Sequence, residues 1–214
     1  MTATESAPTR VDGPRSSEKP WNRAMYFDGS YKSVADVNVD SSEYVISAWA
    51  ELDGTSSALS NVARASNTSQ SDAAWLQERN GRWVIGLRME NGNFYEGSWD
   101  TGPVAGENWT HLALRVRGGN ATAYINGEAK ETWNLEDAPR DFDAIESGTS
   151  FYVGSVDDLR VYGRPLSDSQ IELMAHEPQT KLESASTERF AFDEGFGKTA
   201  YGDSGVEADV AADA

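Results

Sequence analysis

Two histidines, no cysteine and a scatter of aromatic and acidic side chains are what this chain offers for chemistry. His111 follows Trp109 in a strand-like run and is expected to pack or hydrogen-bond at a sheet. His176 falls at the end of a short helical segment, where the helix dipole favours a cation. The chain holds no Gly-x-Ser-x-Gly elbow and no phosphate-binding loop. The absence of cysteine excludes disulfides, thiolate catalysis and cysteine-based metal sites. The chain is therefore expected not to be an enzyme.

Binding chemistry is better represented. There are seven tryptophans. Sugar rings stack on flat aromatic faces beside Asp, Asn and Arg groups, and the runs NFYEG (93–97) and WDTG (99–102) supply that mixture. Tyr95 and Trp99 are accordingly the candidate glycan-binding residues. Trp75 and Trp133 lie in similarly unconstrained places, whereas Trp83 alternates with polar neighbours and is expected inside a sheet sandwich. Three Asn-x-Ser/Thr sequons, at Asn67, Asn108 and Asn120, are read as chance matches, because the N-terminus carries no export signal.

The elements that must position these residues are strands. YVISAWAEL (44–52) is apolar on both faces, as a central strand requires. Trp83, Ile85, Leu87 and Met89 alternate with polar or small residues, and so do Leu112, Leu114 and Val116. Asn126-Gly127 between two such runs predicts a tight hairpin, because both turn positions must tolerate positive φ. Turn residues recurring between short strands indicate a two-layer sandwich or jelly roll. The one expected helix starts at Ser167, with Gln170 completing a capping box, and stops before Pro178.

The 35 acidic and 18 basic residues give a formal charge of −17. This argues against nucleic acid and anionic lipid as partners, both of which need clustered Lys and Arg. Only 5 of the basic residues are Lys. Abundant acid with scarce Lys suits a protein working in brine, where salt screens its self-repulsion.

Five segments in order resemble the laminin-G-like, concanavalin-A-like (pentraxin-like) lectin family. AMYFDGS (24–30) resembles the family's opening strand and turn, and YVISAWAEL its tryptophan-centred strand. NWTHLALRV (108–116) resembles the strand carrying Trp followed by His, ATAYINGE (121–128) the Tyr-x-Asn-Gly hairpin, and GSVDDLRVYGRPLSDSQI (154–171) the closing signature. The resemblance implies an all-β fold, a concanavalin A-like two-sheet antiparallel jelly-roll sandwich with one short helix on the C-terminal side. It implies packing roles for Trp49 and Trp109. It also implies a structural Ca²⁺ held by carboxylates matching Asp28, Asp157 or Asp158, and Asp203. Strand alternation sends Asp157 and Asp158 to opposite sides, so only one would ligate. Some members of the wider fold are glycosidases with a carboxylate pair on the concave face, but no predicted strand here carries two acids on one buried face.

The organisation expected is a flexible N-terminal arm (1–22), a jelly-roll domain (23–177), a linker (178–189) and a C-terminal strand and loop (190–214). FAFDEGFGKTAYGDSG (190–205) resembles the segment that precedes the opening strand in the family, displaced here to the end. A lone strand must dock, either back on its own sandwich as a permutation or on a neighbouring subunit. The function expected is a non-enzymatic, lectin-like surface component of a halophilic virus particle, assembled in the host cytoplasm. Its partners would be further copies or other virion proteins, reached through the arm and the C-terminal strand, and surface glycans, with no insertion in a membrane. The alternatives are a carbohydrate-binding module of a haloarchaeal or bacterial surface protein and, last, a glycoside hydrolase or lyase on the same fold.

Overall fold

The computed structural model describes residues 9–14, 22–53, 59–69, 71–100, 108–136, 142–149, 152–178, 180, 182, 188–190, 199–201 and 207–212. Among them are sixteen strands and one helix. The strands are Thr9–Asp12 (β1), Arg23–Asp28 (β2), Tyr31–Val39 (β3), Tyr44–Leu52 (β4), Ser60–Ser66 (β5), Ala73–Arg79 (β6), Arg82–Arg88 (β7) and Phe94–Asp100 (β8). They continue as Trp109–Arg117 (β9), Asn120–Ile125 (β10), Glu128–Asn134 (β11), Phe142–Thr149 (β12), Val153–Tyr162 (β13), Glu188–Phe190 (β14), Thr199–Tyr201 (β15) and Glu207–Ala212 (β16). The helix α1 spans Asp168–His176.

The strands form two antiparallel sheets. The first runs β1-β2-β13-β4-β9-β10-β11, with β14 also on β13, and the second runs β15-β16-β3-β12-β5-β6-β7-β8. This is the expected jelly-roll sandwich. Between the sheets lies one apolar core that includes Phe27, Ile46, Leu76, Trp83, Ile85, Leu112, Leu114 and Phe142. Outside the bulges of β5, β12 and β13, the contributing strands send alternate residues inward, which is the period-2 pattern read from the sequence. Three hairpins turn on residue pairs with positive φ: Asn80-Gly81, Gly118-Gly119 and the expected Asn126-Gly127. Gly127 has a second constraint. A Cβ there would lie 2.9 Å from Glu172 Cα, because this hairpin packs under α1.

The outer face of the first sheet is covered. Helix α1 carries the expected capping box and buries Ile171 and Met174 against Val45, Ala113, Tyr124 and Tyr162. Next to it Val11 packs over Ala24, Trp49 and Trp109. Trp49 and Trp109 are thus buried, as expected, but outside the inter-sheet core. His111 packs edge-on against Trp49, ring centroids 5.5 Å apart.

Both chain ends differ from the sequence reading. Within the expected arm, Thr9–Asp12 is a strand paired with β2, and Gly13 donates to the Asn22 carbonyl at 3.0 Å. Its composition could not order it alone. The open edge of β2 and the apolar seat for Val11 do so. Within the expected linker, Glu188 and Arg189 belong to β14, which pairs with β13 and buries Phe190 in the core. The strand β16 lies within the expected C-terminal strand and loop, and it pairs with β3 of the same chain. Phe192 lies outside the described residues.

Candidate functional site

Sheet register places a mixed aromatic and polar surface on the outer face of the second sheet. One row across it runs Val34, Glu146, Arg64, Trp75, Gly86, Glu96, from β3 to β8. Next to this row stand Arg88 and Phe94, a cross-strand pair. Among the described residues no helix or strand crosses this face, in contrast to the outer face of the first sheet under α1.

Gly86 is the floor of the site. A Cβ there would sit 2.4 Å from the Tyr95 carbonyl oxygen and 3.1 Å from Trp75 Cε2. Its absence lets the Trp75 indole reach over β7, where the Phe94 ring meets it at 5.2 Å and 36°. Phe94 is 57% exposed, and its ring lies against the Trp75 indole. Across β6, β5 and β12 a chain of hydrogen bonds runs from Gln77 Nε2 to Asn61 Oδ1 (2.7 Å) and from Asn61 Nδ2 to Thr149 Oγ1 (2.6 Å).

Two groups on this face are buried and lack a hydrogen-bond partner among the described residues: Trp75 Nε1, a donor, and Gln77 Oε1, an acceptor. Buried polar groups are almost always paired, so each such atom needs a reason. Tyr44 Oη and Trp83 Nε1 are similarly orphaned but belong to the inter-sheet core. Trp75 and Gln77 lie instead on the sheet's outer face, where a hydroxyl-rich molecule could donate to one and accept from the other.

Several charges on this face are paired. Glu146 is held by Arg64 (3.4 Å) and Lys32 (3.6 Å), and Arg79 pairs with Glu96. Glu146 and Glu96 flank Trp75 on one row but are four strands apart, about 19 Å at the usual strand spacing. Glycosidase carboxylates stand roughly 5–9.5 Å apart.

The residues nominated from sequence occupy other places. Tyr95 and Trp99 lie on the inward side of β8, half-buried against the core, opposite Leu87 and Trp83. They face away from the Phe94–Glu96–Ser98 side. Asp28 is exposed and accepts from its own turn at Ser30 N, 3.0 Å. It pairs with Val153, four residues and about 13 Å along β13 from Asp157. Asp203 lies outside the described residues. The expectation that Asp157 and Asp158 diverge is corrected by the structure. β13 carries an extra residue relative to β4 between Asp157 and Arg160, and Asp158 takes a φ of 49°. This bulge keeps both carboxylates buried on the outer side of the first sheet. Asp158 is bound there by Arg160 Nε (2.9 Å) and Arg189 Nε (2.6 Å), so its charge is already matched. Among the described residues no group of three or more His, Asp or Glu side chains could hold a metal ion, and the structure does not bring Asp28 and Asp157 together.

His111 is fully enclosed, and burial together with the nearby Arg160 charge lowers its pKa to about 3. It is a neutral packing residue at neutral pH. The sequence reading missed Phe94 and Gln77 and left Trp75 undecided. AAWLQER has no clean alternation because both faces of β6 are buried, so the outward phase of Trp75 and Gln77 emerges only from register.

Residues 27–172 match the model of the Concanavalin A-like lectin/glucanases superfamily. No curated protein matches the chain. Among solved structures it resembles domain 4 of AbnA, a GH43 extracellular arabinanase from Geobacillus stearothermophilus, solved with arabinotriose. The identity is 23% and the TM-score 0.60, over 79% of this chain and 82% of that one. A protein of Bacteroides ovatus proposed to bind carbohydrate aligns with 98% of this chain and 62% of its own, at 14% identity and TM-score 0.64. The ligand binding domain of botulinum neurotoxin serotype D, solved with N-acetylneuraminic acid, aligns at 18% identity and TM-score 0.61 over 72% of this chain. The chain spans 42% of the length of that domain. At these identities the likeness is one of fold. The family match covers well over half the chain, which belongs to the Concanavalin A-like lectin/glucanases superfamily.

Proposed function

We propose that this chain is a non-enzymatic carbohydrate-binding module that reads sugar hydroxyls on the outer face of its second sheet. The observation carrying this is the pair of buried, unpartnered groups, Trp75 Nε1 and Gln77 Oε1, beside the exposed Phe94 ring. A sugar supplies what they lack: a C–H face for the aromatic ring and hydroxyls that both donate and accept. Lectin-type recognition of this kind needs no acid pair, in keeping with the wide separation of Glu96 and Glu146. The carbohydrates named in the arabinanase and neurotoxin complexes support the same class of ligand.

The test is affinity electrophoresis through gels containing arabinan, galactan, xylan or polygalacturonate. The chain should be retarded by at least one. Phe94→Ala should weaken that retardation about tenfold, equal to about 1.4 kcal/mol, while the melting temperature stays near wild type because Phe94 is exposed. Free migration in all four gels would overturn the proposal.

A narrower setting is a surface subunit of a halophilic virus particle with glycan-mediated host attachment; the −17 charge and the scarcity of Lys support its halophilic part. It predicts co-sedimentation with particles and a melting temperature that rises toward about 1 M salt. The family resemblance also supports a structural Ca²⁺, at Asp28 or at Asp157 but not shared between them, since the two stand about 13 Å apart along β13. Chelation lowering the melting temperature would support it, and no change would end it.

A further inference from the structure

The geometry points to a second sugar-binding surface continuous with the first, at the seam where edge strands β8 and β11 meet, so that the preferred ligand is the interior of a polysaccharide chain rather than a terminal sugar. This rests on the carbohydrate reading of the outer face.

β8 ends the second sheet and β11 ends the first. The two edges adjoin. Asn93, just before β8, donates to Glu136 just after β11 at 3.1 Å, and Glu131 of β11 reaches Gly97 of β8. Three half-buried aromatics line this seam: Tyr95 and Trp99 from β8 and Trp133 from β11. Gly97 shapes it. A Cβ there would lie 2.3 Å from Trp99 Cη2 and 2.8 Å from Glu131 Oε2, so only glycine lets the indole lie back along its own strand with the carboxylate beside it. Glu131 is exposed and accepts from Trp133 Nε1 at 3.0 Å through Oε1. The seam thus presents two indoles and, between them, a fixed carboxylate whose remaining lone pairs can accept sugar hydroxyls in charge-assisted bonds.

A charge on the inward side of an edge strand also guards against edge-to-edge pairing. That role alone requires neither the two indoles nor the glycine that seats one of them. The occupant is identified by continuity. Successive residues of a strand point to opposite faces, so β8 presents Phe94, Glu96 and Ser98 to the outer-face site and Tyr95, Gly97 and Trp99 to the seam. A glycan chain lying on the outer face and bending round this single strand meets the second set with no intervening element among the described residues.

The experiment uses the full chain and oligosaccharides of increasing length from whichever of the four polysaccharides above binds most tightly. Wild type should bind hexasaccharides about tenfold more tightly than disaccharides. In Trp133→Ala this ratio should fall to about threefold or less, through a loss of hexasaccharide affinity. Glu131→Gln, which preserves packing, and Gly97→Ala, which crowds the seam, should reduce the ratio in the same direction. Phe94→Ala should instead weaken all lengths equally. A wild-type affinity independent of length, or a ratio untouched by Glu131→Gln and Trp133→Ala in folded protein, overturns the seam and leaves the outer-face site standing. Failure to bind any of the four polysaccharides overturns both.

Discussion

Asp158 shows how much a single residue can hold in place. It sits out of water between Arg160, two residues away, and Arg189, thirty-one residues away. Removing one partner of a buried ion pair leaves the other charge uncompensated, at a cost of about 3–5 kcal/mol. Asp158→Ala, which removes the carboxylate shared by two guanidinium groups, is expected to lose about that much in urea unfolding. His111 gives a pH signature. Its pKa is near 6.5 unfolded and about 3 folded. Between these values the unfolded chain binds a proton that the folded chain refuses. The His111 contribution to stability is therefore full above about pH 6.5 and declines as pH falls toward 3. Melting temperatures at about pH 7.5 and about pH 5 should differ less in His111→Gln than in wild type. The inward place of Trp83 and the opposite, outer-side phase of His111 were legible because clean alternation surrounds them. The shared side of Asp157 and Asp158 was not, because a bulge inserts a residue that no periodicity announces.

The helix and the tight hairpins carry their own instructions. Ser167 accepts from Gln170 N, and Gln170 Oε1 accepts in return from Ser167 N at 3.0 Å. Ser167→Ala should cost about 1 kcal/mol, measured as a lower urea midpoint with unchanged slope. Such elements were legible because the residue type itself satisfies a local need: a capping oxygen, or a turn position with positive φ. β1, β14 and β16 were not, or only in part. They are short strands whose order comes from the edges of β2, β13 and β3. The aromatic outer-face site shares that difficulty, since Trp75 and Phe94 are 19 residues apart and meet only through the pairing of β6, β7 and β8.

For the molecule as a whole, the C-terminal segment is integral. Phe190 lies in the inter-sheet core, Arg189 neutralises Asp158, and β16 extends the second sheet. Deleting residues 183–214 is expected to yield protein without native circular dichroism or a cooperative melt, not a soluble monomer released from an oligomer. A folded monomer on size exclusion would contradict this. The sheet orders carry one more consequence. β1 and β15 close the flank opposite the one where β8 and β11 meet. A bead, dye or fusion partner attached through either outermost strand would hang behind the sandwich, leaving the Phe94 platform and the Trp99–Trp133 cleft pointing outward like the working end of a probe.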